Sequence, residues 1–172
     1  KTLRASQKQY LAEDLERLTL SGVTAADNPS RAPLDVAALT GGRPLWLEVG
    51  FGGGEHLVHM AARYPEVFLI GCEPFVNGVA MLLGKIRAAG ADNLVIHPGD
   101  VRDLFDVLPA ACLDKCFLNY PDPWPKARHH RRRFVTPGDL TDASFGSETK
   151  AVHLTASNIN KILKAENGGD IP

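Results

Sequence analysis

Short apolar runs alternate with segments of helical periodicity through the middle of this 172-residue chain. Between the first two runs, Leu57, Ala61 and Tyr64 follow the spacing of one helix face. Strands that alternate with helices predict an α/β fold with a doubly wound, mostly parallel sheet and helices on both of its faces. The apolar runs of strand length are residues 44–50, 67–73, 93–100 and 113–120.

Helices are predicted between the strands and at the N-terminal side of the core. Residues 6–20 carry leucines at helical spacing among charged residues, which indicates an amphipathic helix. Residues 21–44 are rich in turn-forming residues and predict a loop with one short helical turn near residues 34–39. The helices expected within the core are residues 54–64, residues 75–90 ending at Gly90, and residues 101–108 ending before Pro109.

The length of the chain is that of one domain, since domains usually take about 100 to 200 residues. We expect a single domain in three parts: an extension over residues 1–44, a core over residues 45–137 and a tail over residues 138–172. The chain has no apolar run of the roughly 18 residues that a membrane-spanning helix needs, and its first residues lack the apolar core of a signal peptide. A cytoplasmic protein without a membrane partner is therefore expected.

Charge and cysteine content narrow the classes of function. With 19 Lys and Arg against 20 Asp and Glu, the formal charge is −1, so any nucleic-acid binding has to come from a local cluster of basic residues. Cys72, Cys112 and Cys116 have neither paired CxxC spacing nor the histidine spacing of a zinc site. Reduced, mostly buried thiols and no metal site are expected.

Acidic side chains end or follow the predicted strands. In doubly wound sheets, ligands bind at the carboxyl ends of the strands, so these residues are candidates for ligand contacts. Three strands end in a carboxylate, and the fourth reaches one in the next loop. The four residues are Glu48, Glu73, Asp100 and Asp122.

The loop after the first strand is rich in glycine. Gly50, Gly52 and Gly54 form a G-x-G-x-G pattern, whereas the dinucleotide-binding pattern G-x-G-x-x-G would need glycine where Glu55 stands. A pyrophosphate beside Glu48 and Glu55 would be repelled. S-adenosylmethionine carries an amine and a sulfonium but no phosphate, so the acidic loop favours this methyl donor over a nicotinamide dinucleotide, and a nicotinamide-dependent oxidoreductase is the less favoured alternative.

Two of the strand-end carboxylates have specific expected roles. Glu73 can accept hydrogen bonds from the hydroxyls of a ribose, although a solvated strand-end charge is the simpler alternative. Asp100 can accept from an adenine amino group or cap the following helix, and the two uses are compatible.

A basic run follows a turn stiffened by prolines. The stretch "YPDPWPKARHHRRR" places Asp122 between two prolines and then five Lys or Arg within residues 126–133. Because proline fixes φ, the prolines would hold Asp122 and Lys126 in place. Trp124 is expected to pack within the turn. The basic run suits the phosphates of RNA; the alternative is a solvated charged segment.

These motifs resemble those of the bacterial tRNA (guanine-N(7)-)-methyltransferases. The resemblance rests on "LEVGFGGGEHL", "GCEP", "HPGD" and the PDPW-x-K-x-R-H-x-x-R-R run, and covers about residues 45–137. It implies a Rossmann-like methyltransferase fold, S-adenosylmethionine as methyl donor, and methyl transfer to guanine in the tRNA variable loop. It also implies that Asp122 acts at the reaction centre. Donor contacts are implied for Glu48, Gly50, Gly52, Glu73, Asp100 and Asp122, and substrate or RNA contacts for Lys126, Arg128, His129, His130, Arg131, Arg132 and Arg133.

After Pro137 the motifs expected from the resemblance no longer follow. Missing later strands would leave the sheet incomplete, with an exposed edge at the fourth strand unless a partner or a rearranged tail covers it. A helix is predicted at residues 157–165, which could dock on the sheet without replacing a strand. The tail therefore keeps open the alternative of a catalytically impaired protein that binds S-adenosylmethionine or RNA.

Overall fold

The computed structural model describes residues 2–119 and 151–154, with the backbone alone at residues 119 and 151–154. Asp122, Lys126, the basic run at residues 128–133 and the tail helix predicted at residues 157–165 lie outside the described residues. The helices are α1 (Ala5–Leu18), α2 (Val36–Thr40), α3 (Glu55–Arg63), α4 (Val76–Ala89) and α5 (Val101–Phe105). The strands are β1 (Leu45–Val49), β2 (Phe68–Cys72), β3 (Leu94–His97), β4 (Lys115–Asn119) and β5 (Ala151–Leu154).

The strands form one sheet in the order β3-β2-β1-β4-β5. The first four strands run parallel, as the alternating pattern predicted, with Val49 opposite both Cys72 and Leu118. The chain moves outward from β1 through β2 to β3 and then returns to place β4 on the other side of β1. This change of direction lies at the carboxyl end of β1, where doubly wound sheets bind ligands.

Helices cover both faces of the sheet. On one face, α3 and α4 bury Leu57, Leu82 and Leu83 against the strands, and α1 adds Leu18. On the other face, α5 buries Leu104, and α2 packs at the periphery. Because the strands are covered on both sides, all residues of β1 and β2 are buried, and the prediction of a doubly wound α/β fold is confirmed.

Both edges of the parallel strands have pairing partners. At the β3 edge, the N–H of Leu20 donates to the carbonyl of Ile96 at 2.8 Å. The first helix therefore ends at Leu18, because the following residues leave the helix to pair with β3. At the β4 edge, β5 pairs antiparallel, with Phe117 opposite His153.

Part of the tail therefore covers the β4 edge, which is the alternative to an exposed edge that the sequence left open. The tail supplies a strand of four residues whose backbone pairs with the backbone of β4. A segment this short carries too little alternation to be recognised as a strand from its sequence.

Of the residues that the structure describes, none belongs to a helix long and apolar enough to cross a membrane.

Candidate functional site

The glycine loop joins β1 to α3 and needs glycine for its backbone conformation. Gly50, Gly52 and Gly54 have φ values of 69°, 55° and 78°, in the left-handed region that side chains with a Cβ rarely adopt. A Cβ built on Gly50 or Gly52 would meet no atom within 4 Å, so both positions face open space. The loop can therefore accept a ligand close to its backbone.

Glu73 fastens this loop to the end of β2. Its side chain belongs to a residue that is only 5% exposed. One carboxylate oxygen accepts from the N–H of Gly52 at 2.8 Å, and the other accepts from the N–H of Phe75 at 3.0 Å. Each oxygen keeps a further lone pair, so the carboxylate can still accept from a ligand hydroxyl.

Gly78 lets α4 approach the loop closely. A Cβ on Gly78 would lie 2.3 Å from the carbonyl oxygen of Gly52, a distance that excludes any side chain. The sequence interpretation missed this residue. A glycine inside a helical pattern was the available signal, since it often marks a close approach of another backbone.

Lys85, also on α4, holds the next residue of the loop. Its ammonium donates to the carbonyl of Gly53 at 2.8 Å and lies 3.1 Å from the carboxylate of Glu55. The pKa of Glu55 is lowered first by a hydrogen bond from its own backbone N–H and then by Lys85. The glycine loop is therefore held both by Lys85 of α4 and by Glu73 at the end of β2.

Glu48 is a buried carboxylate at the end of β1. The residue is 1% exposed, and one of its oxygens lies 2.8 Å from Nδ1 of His56, in the first turn of α3. Because an ionised carboxylate can only accept, Nδ1 of His56 carries the hydrogen in this bond. Burial, reinforced by the Glu48 charge, raises the pKa of Cys116 to about 12.

Asp100 follows β3 and caps α5. Its side chain accepts from the N–H of Arg102 at 2.9 Å and also pairs with the Arg102 guanidinium at 3.0 Å. The helix-capping use of Asp100 is confirmed, while adenine recognition stays a prediction. Behind it, Nε2 of the buried His97 donates to the carbonyl of Asp100 at 3.1 Å, which fixes the turn between β3 and α5.

The parallel register brings three of the predicted carboxylates together along the edge of the sheet that the carboxyl ends of its strands form. Val49, Cys72 and His97 lie side by side on neighbouring strands, so Glu48, Glu73 and Asp100 all sit at the carboxyl ends. An acidic edge beside an open glycine loop fits a cationic ligand with hydroxyl groups and does not suit a pyrophosphate.

A protein-family model described as a putative methyltransferase matches residues 42–157. The chain is 75% identical over 140 residues to the tRNA (guanine-N(7)-)-methyltransferase of Cereibacter sphaeroides, covering 81% of this chain and 58% of that protein. It is 67% identical over 162 residues to the one of Jannaschia sp., covering 94% and 68%. The chain belongs to the tRNA (guanine-N(7)-)-methyltransferase family. It is also 60% identical over 159 residues to the one of Ruegeria pomeroyi, covering 92% and 67%.

These matches confirm the resemblance that the motifs indicated and extend it. The methyltransferase family match continues through residues 138–157, beyond Pro137, where the motif resemblance was expected to end. That range includes β5, which completes the edge of β4. The chain spans about three fifths of the length of the first two relatives it matches.

The three cysteines of this methyltransferase family member are free. Cys72 and Cys116 are buried, and Cys112 is half-buried, as predicted for reduced, mostly buried thiols. Burial is the main cause that raises the pKa of all three thiols. Thiols held in this protonated form are poor nucleophiles.

Proposed function

We propose that this protein transfers a methyl group from S-adenosylmethionine to the ring nitrogen at position seven of a guanine in the tRNA variable loop. The observation that carries the proposal is the buried acidic edge, Glu48 and Glu73, beside an open glycine loop. The names of the relatives, which share 60 to 75% of the aligned residues, support the choice of tRNA as substrate. The substrate would place the reaction in the cytoplasm.

Three described residues would hold the methyl donor. Glu48 would attract its cationic amine and sulfonium, because a carboxylate with little access to water interacts strongly with a cation. Glu73 would accept from the ribose hydroxyls with the lone pairs that Gly52 and Phe75 leave available. Asp100 would accept from the adenine amino group. The bound donor supplies a methyl group on a positively charged sulfur, which makes that carbon open to attack.

The reaction asks the protein mainly for accurate placement. The guanine nitrogen carries a free lone pair in the neutral base, so no proton has to be removed before it attacks. Holding the nitrogen and the methyl carbon in line can lower the barrier by about 7 to 11 kcal/mol. We assign Asp122, between Pro121 and Pro123, to the reaction centre, with its position held by the restricted backbone of the prolines.

The basic run would hold the tRNA. Lys126 is proposed to contact the substrate near the guanine, and the residues after it to contact phosphates. His129 and His130 could stack on unpaired bases or add charge at acidic pH. The phosphate contacts are assigned to Arg128, Arg131, Arg132 and Arg133.

The deciding experiment measures transfer of labelled methyl from S-adenosylmethionine to unmodified tRNA, with the modified nucleoside identified by mass spectrometry. The full-length relative from Cereibacter sphaeroides serves as the positive control for the tRNA and the assay. Formation of 7-methylguanosine is expected. Donor binding by this chain without any methylated product would instead identify a binding protein, and binding of NADH in place of the donor would favour an oxidoreductase.

A further inference from the structure

His56 connects the first turn of α3 to the buried end of β1. Its Nδ1 donates to a carboxylate oxygen of Glu48 at 2.8 Å, and the Glu48 side chain is 1% exposed while that of His56 is 39% exposed. The pair therefore joins a buried carboxylate to a partly exposed imidazole. His56 lies within the motif LEVGFGGGEHL, but the motif gave it no role, because its pair with Glu48 forms only when α3 packs against β1.

A second contact fixes the plane of the imidazole ring. The ring meets Phe117 of β4 edge to face, with centroids 5.1 Å apart, and Phe117 packs in turn against Trp46 of β1 at 5.7 Å. Edge-to-face aromatic packing restricts rotation of both rings. The imidazole that pairs with Glu48 is thus held by its own helix and by Phe117 of β4.

We propose that His56 is a positioning residue that orients the Glu48 carboxylate toward the cationic amino-acid end of the methyl donor. The inference rests on the proposed function, because it assigns the partner of Glu48. A carboxylate whose rotation is fixed by a hydrogen bond meets a cation without reordering on binding, and this preorganisation strengthens recognition. The effect is confined to the end of the donor that carries charge.

Because the expected effect is confined to the charged end of the donor, two ligands that differ only at that end can distinguish a positioning role from a purely structural one. S-adenosylmethionine carries both the adenosine and the charged amino-acid end, whereas 5′-methylthioadenosine has the adenosine and lacks the amine and the sulfonium. Loss of the His56 hydrogen bond should weaken binding of the first ligand and leave the second nearly unchanged. A general distortion of the site would weaken both.

The experiment measures the calorimetric affinity of both ligands for the wild-type chain and for His56→Leu, His56→Asn and His56→Gln. His56→Leu should weaken S-adenosylmethionine binding by roughly tenfold or more, as expected for a lost hydrogen bond to a charged group. His56→Asn places an amide N–H near the position of Nδ1 and should restore most of the affinity. His56→Gln places its amide near the position of Nε2 and should not.

The matched control is His59→Leu, the same chemical change one turn further along α3, where the side chain is exposed. It should leave both affinities unchanged. Circular dichroism and thermal unfolding establish that each variant is folded. If His56→Leu does not fold, the comparison of the polar variants decides, with Asn expected to bind the donor more tightly than Gln.

Equal weakening of both ligands in His56→Leu would overturn the inference, because it would assign His56 a structural role only. Equal donor affinity in the Asn and Gln variants would also overturn it. Failure of the wild-type chain to bind S-adenosylmethionine would overturn the proposed function together with the inference, whereas donor binding that is insensitive to His56 would overturn the inference alone.

Discussion

The carboxylate of Glu73 accepts a hydrogen bond of 2.8 Å from the backbone N–H of Gly52, which ties the end of β2 to the loop that follows β1. Glu73, the proposed ribose acceptor, thus also helps to hold the glycine loop in its conformation. A change at Glu73 should act on both roles, and the two can be separated by measuring stability and affinity on the same variants.

Glu73→Ala should weaken binding of S-adenosylmethionine by at least roughly tenfold, because both the ribose acceptor and the loop anchor are lost. The free energy of unfolding should fall by about 1 to 3 kcal/mol, since two backbone N–H groups lose their acceptor. Calorimetry and urea unfolding measure the two effects. Glu73→Gln, which retains one oxygen as acceptor, is the matched control, and its donor affinity and stability should lie between those of the wild type and Glu73→Ala. An affinity unchanged in Glu73→Ala would remove Glu73 from the donor site.

Gly78→Ala should disrupt donor binding by displacing the glycine loop. The new Cβ would lie 2.3 Å from the Gly52 carbonyl oxygen, which belongs to the backbone and cannot rotate away. Displacement of the loop by a few tenths of an ångström or more should lower donor affinity by roughly tenfold or more.

Gly84→Ala on the same helix is the control for Gly78→Ala. Its Cβ would lie 2.9 Å from the ring of Tyr10, a side chain that can shift. Both variants gain helix propensity of about 1 kcal/mol. The calorimetric affinity of Gly84→Ala should stay close to that of the wild type, and equal losses in the two variants would argue against a specific contact between Gly78 and the loop.

Stability should decrease as the pH falls below about 6.5, the usual pKa of histidine. Burial lowers the pKa of His97, although its hydrogen bond to the Asp100 carbonyl and then the charges of Asp103, Asp100 and Asp27 act in the opposite direction. As the pH falls below about 6.5, the unfolded chain therefore binds more protons than the folded chain. The free energy of unfolding thus decreases as the pH falls and increases as it rises. Urea unfolding at about pH 7 and about pH 5.5 measures this difference.

His97→Gln should flatten that pH dependence, because the glutamine amide can donate to the Asp100 carbonyl and does not titrate. His59→Gln, at an exposed position of α3, is the control and should keep the wild-type dependence. An identical slope in His97→Gln and wild type would mean that another group titrates in this range.

Replacement of Arg131, Arg132 and Arg133 by Ala should lower tRNA affinity and reduce its salt dependence. Each lost phosphate contact on a single strand should reduce the slope of log affinity against log salt by about 0.7. Filter binding over a range of salt concentrations measures the slope. Replacement of the exposed Lys8 and Arg63 by Ala is the control; a triple variant with an unaltered slope would show that the run does not contact phosphates.

Local pattern determined most of the fold of this chain. Strands β1 to β4 and helices α1, α3 and α4 were predicted close to their observed positions, because burial against a sheet imposes a period that neighbouring residues display. Glycine at positions 50, 52 and 54 and the acidic strand ends were likewise visible, since positive φ and charge at a strand end are properties of single positions.

Other features of the site and of the sheet arise only from tertiary packing. The meeting of Gly78 with Gly52 and the pairing of His56 with Glu48 depend on how α4 and α3 lie on the strands. The pairing of Leu20 with Ile96 and of β5 with β4 likewise joins segments far apart in the chain. The sequence by itself determined most of the elements, though not β5, and the end of the sheet at which the candidate site lies. Tertiary structure decided which side chains hold the candidate site in place, because a hydrogen bond between distant residues leaves no period in the local sequence.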